Sequence, residues 1–261
     1  MMKIALGIEY CGTRFFGWQR QIGVRTIQQS IEEALSFVAN HPVTTICAGR
    51  TDTGVHAVQQ IIHIETQVIR ELHSWVLGSN VNLPEDVSVL WARQVDDDFH
   101  ARFSATARIY RYLIMDRSSR PGLHAGKVTW VYRQLNVEKM QEAADYLIGE
   151  HDFTSYRAIA CQAKSPVRTV KQISLDRHNE IIVMTIEANA FLHHMVRNIA
   201  GVLINIGYGK EKPVWAKRVL DAHDRTKGSV TAPPHGLYLL NVEYPGKYLF
   251  PDAKSRTLYL A

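Results

Sequence analysis

A chain of 261 residues with 46% hydrophobic side chains can fill a packed core and has room for two ordinary domains or one large one. Its 30 Lys and Arg against 25 Asp and Glu leave a formal charge of +5, which favours a polyanionic partner without requiring one. Three scattered cysteines, Cys11, Cys47 and Cys161, suggest neither a disulfide framework nor a zinc knuckle, and no apolar run nears the roughly 18 residues of a membrane span, so a soluble, cytoplasmic protein is expected.

Residues 4–10 alternate as an opening strand, and Gly12, Phe15, Gly17, Trp18 and Gln19 follow as a glycine-punctuated aromatic loop, with Phe15 and Trp18 read as core anchors or as rings that stack on bases. Thr26 and Gln29 fit a capping box, and Ile27, Ile31, Ala34, Leu35 and Val38 then recur at helical spacing up to the break at His41-Pro42. Val43 to Cys47 is rich in β-branched residues and His56 to Ile64 alternates, so the glycine-bracketed stretch 48–57, Ala-Gly-Arg-Thr-Asp-Thr-Gly-Val-His-Ala, is a loop between two strands. It holds Arg50 and Asp52 two positions apart, a charge pair at a sheet edge. A helix over 68–77, a turn over 80–84 and a strand over 87–95 complete a split β-α-β-β-α-β pattern.

The three aspartates 96–98 read as a solvated turn. In the next strand Tyr110, Tyr112 and Ile114 share one face while Ile109, Arg111 and Leu113 share the other, which suits either a half-buried strand or the stacking of an unpaired base. Asn136 caps a helix that ends at Gly149, and two strands, Val167 to Leu175 and Ile181 to Glu187, form a hairpin. Adjacent His151 and Asp152 are structural. A helix opens at Phe191, and its neighbours His193 and His194 project about 100° apart, unlike the i, i+4 pair of a zinc helix. Arg197 lies near that helix's start, where a cation gains nothing from the dipole. Pro213 suits the first turn of a last helix, a strand closes at Tyr244, and the tail has no clear period.

The stretch Gly-Arg-Thr-Asp-Thr-Gly-Val-His-Ala, together with Arg-Ile-Tyr-Arg-Tyr at 108–112, resembles the TruA family of tRNA pseudouridine synthases. Thr53 stands where the family more often has Ala, and Cys11 where it usually has Asp. The resemblance implies Asp52 as catalytic nucleophile, Arg197 as its partner, Tyr110 packed on the target uracil and Arg50 helping to hold the extruded nucleotide. It also implies a homodimer acting on uridines 38, 39 and 40 of the tRNA anticodon stem-loop.

The expected fold is α+β: two ferredoxin-like, RRM-like lobes with mainly antiparallel sheets, joined at a central RNA-binding cleft as the resemblance implies. Their expected bounds are 1–105 and 106–245, with a tail over 246–261. Whether the carboxylate attacks C1′ or takes a proton from C2′, neither route needs a metal, nucleotide or redox cofactor. A non-catalytic RNA-binding module of ferredoxin-like fold is the competing reading.

Overall fold

In the computed structural model, which describes residues 1–254, contacts divide the chain into two units, Met1–Thr106 with Tyr238 onward, and Ala107–Leu237. The expected second lobe, 106–245, therefore loses its closing strand to the first. The strand is β10 (Leu237–Glu243), and it pairs in parallel with β3 (His56–Thr66) through Tyr238–His56 and Leu239–Ala57. Its six residues Leu237 to Val242 are all buried, as befits a strand covered on both faces.

The first unit carries β1 (Met2–Tyr10), α1 (Ile27–Ala39), β2 (Ile46–Cys47), β3, α2 (Leu72–Asn82) and β4 (Val87–Val95). Its strands run β4-β1-β3, with β2 also on β3, and these pairs are antiparallel. This is the split β-α-β pattern the periodicity predicts. The apolar stripe of α1 is buried as expected, and Asn40 ends the helix in the left-handed region at φ 55° before His41-Pro42. The capping box does not form. Thr26 makes no side-chain cap bond, and Gln29 instead donates to Glu33 at 2.8 Å.

Helix α2 starts and ends later than predicted, and the expected turn at 80–84 is its last turn and exit. Leu83 leaves the α region at ψ 150° because Pro84 follows it. Asn80, expected in the turn, is helical and clips α2 to β4 by accepting from Val89 N at 2.7 Å and donating to Val89 O at 2.9 Å.

The tail that showed no period is tied down as far as it is described. Phe250 stacks on Trp91 at 5.1 Å, Gln59 donates to the Pro251 carbonyl at 2.6 Å, and Asn241 donates to Asp252 at 2.9 Å. Asp98, in the expected turn, pairs with Lys247 at 2.6 Å. Residues 255–261 of the expected tail lie outside the described residues.

The second unit carries β5 (Ala107–Asp116), β6 (Thr129–Val131), α3 (Val137–Asp145), β7 (Gly149–Asp152), β8 (Val167–His178), β9 (Ile181–Ala188), α4 (Met195–Gly207) and α5 (Trp215–Asp221). Its strands run β5-β9-β8-β7, antiparallel where they pair, with β6 parallel to β5. The Asn136 cap forms as expected, its side chain accepting from Lys139 N at 2.8 Å, but α3 ends at Asp145, before the glycine expected to stop it. Among the described residues no helix is long and apolar enough to cross a membrane.

One buried histidine makes the first unit acid-sensitive. His63 on β3 is 3% exposed, and its Nδ1 accepts from Ala101 N at 3.1 Å. Burial first, then the His100 and Lys3 charges, pushes its pKa down to about 4. An unfolded histidine titrates near 6.5, so between these values the unfolded chain binds a proton that the folded chain refuses, and stability is lost as pH falls through that window. The expected loss between pH 7 and pH 4.5 is about 2 kcal/mol, read as a fall in the urea midpoint; in His63→Gln most of that slope should vanish.

Candidate active site

The Asp52 loop leaves β2 and enters β3 under tight backbone control. Ala48 N donates to Ile61 O at 2.8 Å, and the buried Gln60 side chain exchanges hydrogen bonds with the Gly49 backbone. Beyond Gly49 the chain turns at Asp52-Thr53-Gly54-Val55, closed by Val55 N donating to Asp52 O at 3.1 Å. Gly54 sits at the third position with φ 78°, which a side chain would strain. The turn leaves Asp52 half-buried and Arg50 exposed.

The aromatic loop predicted from Gly12 to Gln19 holds this turn. Trp18 N donates to Thr51 O at 2.9 Å, Gly54 N donates to Phe15 O at 3.4 Å, and the Tyr10 hydroxyl lies 2.7 Å from Thr51 Oγ1. Phe15 and Trp18 are 1% and 2% exposed, so they are core anchors under the loop, and Phe16 is the exposed ring. Gly12 passes so near Val55 that a Cβ there would lie 1.9 Å from the Val55 carbonyl oxygen. At the far end of the turn His56 is buried, accepts from Gly12 N at 3.1 Å through Nδ1, and stacks on Tyr238 at 4.5 Å. The sequence reading missed His56 and Tyr238; the one available signal was the glycine punctuation of the loop opposite.

The remaining expected residues lie in the second unit. Tyr110 on β5 pairs with Ile186 of β9, is 8% exposed, and meets the Phe191 ring edge-on at 5.1 Å. Tyr112 on the same face is fully buried, its hydroxyl 2.6 Å from Thr129 Oγ1 and donating to Pro233 O at 2.7 Å. Strand β5 is thus covered far more completely than a half-buried strand. Helix α4 starts at Met195, later than expected, because His194 takes a left-handed conformation at φ 61°. That places Arg197 in the first turn, half-buried, with its Nε donating to Ala232 O at 2.9 Å. The return bond, Ala232 N to Arg197 O at 3.2 Å, locks the residue to the segment before β10. The other candidate pair is structural, as read: His151 bonds Ile148 O at 2.9 Å and Asp152 accepts from Thr154 N at 2.8 Å.

A family model described as tRNA pseudouridine synthase matches residues 7–104 and 143–245. The chain belongs to the tRNA pseudouridine synthase family. Similar proteins named tRNA pseudouridine synthase A come from Alcanivorax borkumensis, 54% identical over 100% of this chain and 98% of that protein, and Nitrosococcus oceani, 56% identical over 96% of each. Another, from Pseudomonas aeruginosa, is 57% identical over 96% of this chain and 88% of that protein. As a member of the tRNA pseudouridine synthase family the chain is an enzyme, an isomerase, and its helices and mainly antiparallel strands are the α+β class expected. The family makes the non-catalytic RNA-binding module the weaker reading.

Proposed function

We propose that this chain isomerises uridine to pseudouridine at positions 38, 39 and 40 of the tRNA anticodon stem-loop, with Asp52 as nucleophile. The observation that supports the assignment most is the Asp52 turn, a carboxylate held half-buried on a backbone braced from both sides. Covalent catalysis needs such positioning. The target uridine leaves its stack, at a cost of a few kcal/mol. Asp52 then either attacks C1′ as the N1–C1′ bond breaks, or takes the C2′ proton as that bond breaks to leave a glycal; the freed uracil turns, and C5 bonds to C1′ as the Asp52–C1′ ester breaks or as the proton returns to C2′. The proton on C5 departs last, which restores the ring.

Tyr110 covers the uracil, Arg50 holds the extruded nucleotide, and Arg197 partners the Asp52 carboxylate with a planar guanidinium suited to a bidentate carboxylate contact. The fixed Nε of Arg197 supports that role, because a tethered guanidinium is already oriented. The enzyme acts in the cytoplasm as a homodimer, with no metal or cofactor. Incubating it with tRNA transcripts and mapping the product by pseudouridine-specific sequencing tests the assignment: pseudouridine should appear at positions 38 to 40, and transcripts unmodified there would refute it.

A further inference from the structure

We propose that Arg225 is a positioning residue for the reaction: through Thr231 and Asn198 it holds the segment, residues 231–233, that orients the Arg197 guanidinium. The inference rests on the reading of Arg197 as partner of the Asp52 carboxylate. Every group in it belongs to the second unit. The segment runs beside the start of α4 and is bonded to it in both directions, since Ala232 O accepts from Arg197 Nε at 2.9 Å and Ala232 N donates to Arg197 O at 3.2 Å. The chain passes so near α4 that a Cβ on Gly201, one turn beyond Arg197, would lie 2.2 Å from the Val230 carbonyl oxygen. A planar guanidinium bonded through Nε turns with the carbonyl that accepts the bond, so the aim of the Arg197 fork depends on where Ala232 is held.

Two anchors hold Ala232, one on each side. After it, the buried Tyr112 hydroxyl donates to Pro233 O at 2.7 Å. Before it, Arg225 Nη2 donates to Thr231 Oγ1 and to Asn198 Oδ1, each at 3.0 Å, and the Thr231 hydroxyl donates to Asn198 Oδ1 at 2.7 Å. Chemistry forces this assignment of donors. Asn198 is 1% exposed and its amide nitrogen donates to Tyr156 O at 2.8 Å, so its oxygen is the atom that faces Arg225 and Thr231. Asn198 directly follows Arg197 and Thr231 directly precedes Ala232, so the triangle ties together the two backbones that the Arg197–Ala232 bonds join. Arg225 is itself fixed in place. It opens a single 3₁₀ turn, Arg225–Lys227, capped by Asp224, whose side chain accepts from Thr226 N at 2.8 Å and whose N–H donates to Ser155 Oγ at 2.8 Å. A Cβ on Gly228 would lie 3.2 Å from Arg225 Nη1, so the glycine leaves the guanidinium its room. Both hydrogens of Nη2 are spent on neutral oxygens beside Arg197, which fits a group that positions rather than one that stabilises charge.

A kinetic double-mutant cycle on the full chain tests it, read as tritium release from tRNA carrying 5-tritiated uridine. Arg225→Met should lower kcat on the order of 10- to 100-fold, with KM for tRNA within about twofold of the parent. In Arg197→Lys, which keeps the cation but lacks the Nε–H bonded to Ala232, the same change should cost under about twofold, because no guanidinium remains to be aimed. Loss of packing alone would cost the same factor in both backgrounds. Thr231 is half-buried and gives a milder second arm. Thr231→Ser keeps the hydroxyl and should hold kcat within about twofold of the parent, whereas Thr231→Val, of the same shape without the hydroxyl, should lose on the order of 10-fold. Should Arg225→Met not fold, Thr231→Val is carried through the same cycle. Parental kcat in either Arg225→Met or Thr231→Val, or equal losses with and without the Arg197 change, overturns the inference. If Arg197→Ala is impaired while Arg225→Met is parental, the positioning role alone fails; a parental Arg197→Ala enzyme removes the reading of Arg197 on which it rests.

Discussion

Asp52→Asn should lower tritium release from tRNA carrying 5-tritiated uridine by at least about 1,000-fold, while tRNA affinity stays within about threefold of the parent. The substitution is nearly isosteric, and the bonds that shape the turn, Val55 N to Asp52 O and Trp18 N to Thr51 O, are made by the backbone. The fold has no reason to change. What changes is chemistry, since a neutral amide neither attacks C1′ nor takes a proton from C2′. Binding should survive because affinity for RNA comes mostly from cations on phosphate, which this change leaves alone. Release is read as tritium in water and binding by filter retention at fixed salt. Normal release by the variant would end the assignment, and joint loss of release and binding would mean that Asp52 holds the loop rather than performs the reaction.

The Asp52 turn, the centre of the candidate site, was legible in the sequence to the extent that it is local. Ten consecutive residues carry Arg50 and Asp52, and the glycines and flanking strand patterns placed them on a loop without any tertiary information. Braces from distant parts of the chain were not legible. Gly12 and His56 are 44 positions apart, and nothing in either segment names the other. The same limit governs the fold. Helix α1 was visible because its apolar residues form one stripe, whereas Leu72, Trp75, Val76, Leu77 and Val81 of α2 fall around the whole helix, so the predicted register slipped. Strand β10 was legible as a strand but not as to its partner, because its two covered faces leave no alternation to match against a neighbour. The tail lacked any period because its contacts are single side chains, Phe250 on Trp91 and Asn241 on Asp252, rather than a repeating face.

The second large effect concerns stability and lies in the second unit. Asp116 ends β5 with its side chain 0% exposed, and Arg177 of β8 meets it bidentately, Nη1 to Oδ1 at 2.8 Å and Nη2 to Oδ2 at 2.7 Å. Leu135 N donates to the same carboxylate at 2.9 Å, and Arg177 returns a bond to Leu135 O at 2.9 Å, so the pair fastens the approach to α3 onto the sheet. The carboxylate holds the guanidinium in its charged form still more firmly than usual. Arg177→Met keeps much of the volume but leaves a buried negative charge with a single strong donor, and the expected cost is about 3–5 kcal/mol. Asp116→Leu with Arg177→Met removes both charges, so the double variant should be more stable than Arg177→Met alone, although Leu135 N then loses its acceptor. A urea-unfolding double-mutant cycle measures the coupling directly. If Arg177→Met costs under about 1 kcal/mol, or the two changes add without coupling, the pair is a surface-like contact and the attachment of α3 rests on apolar packing instead.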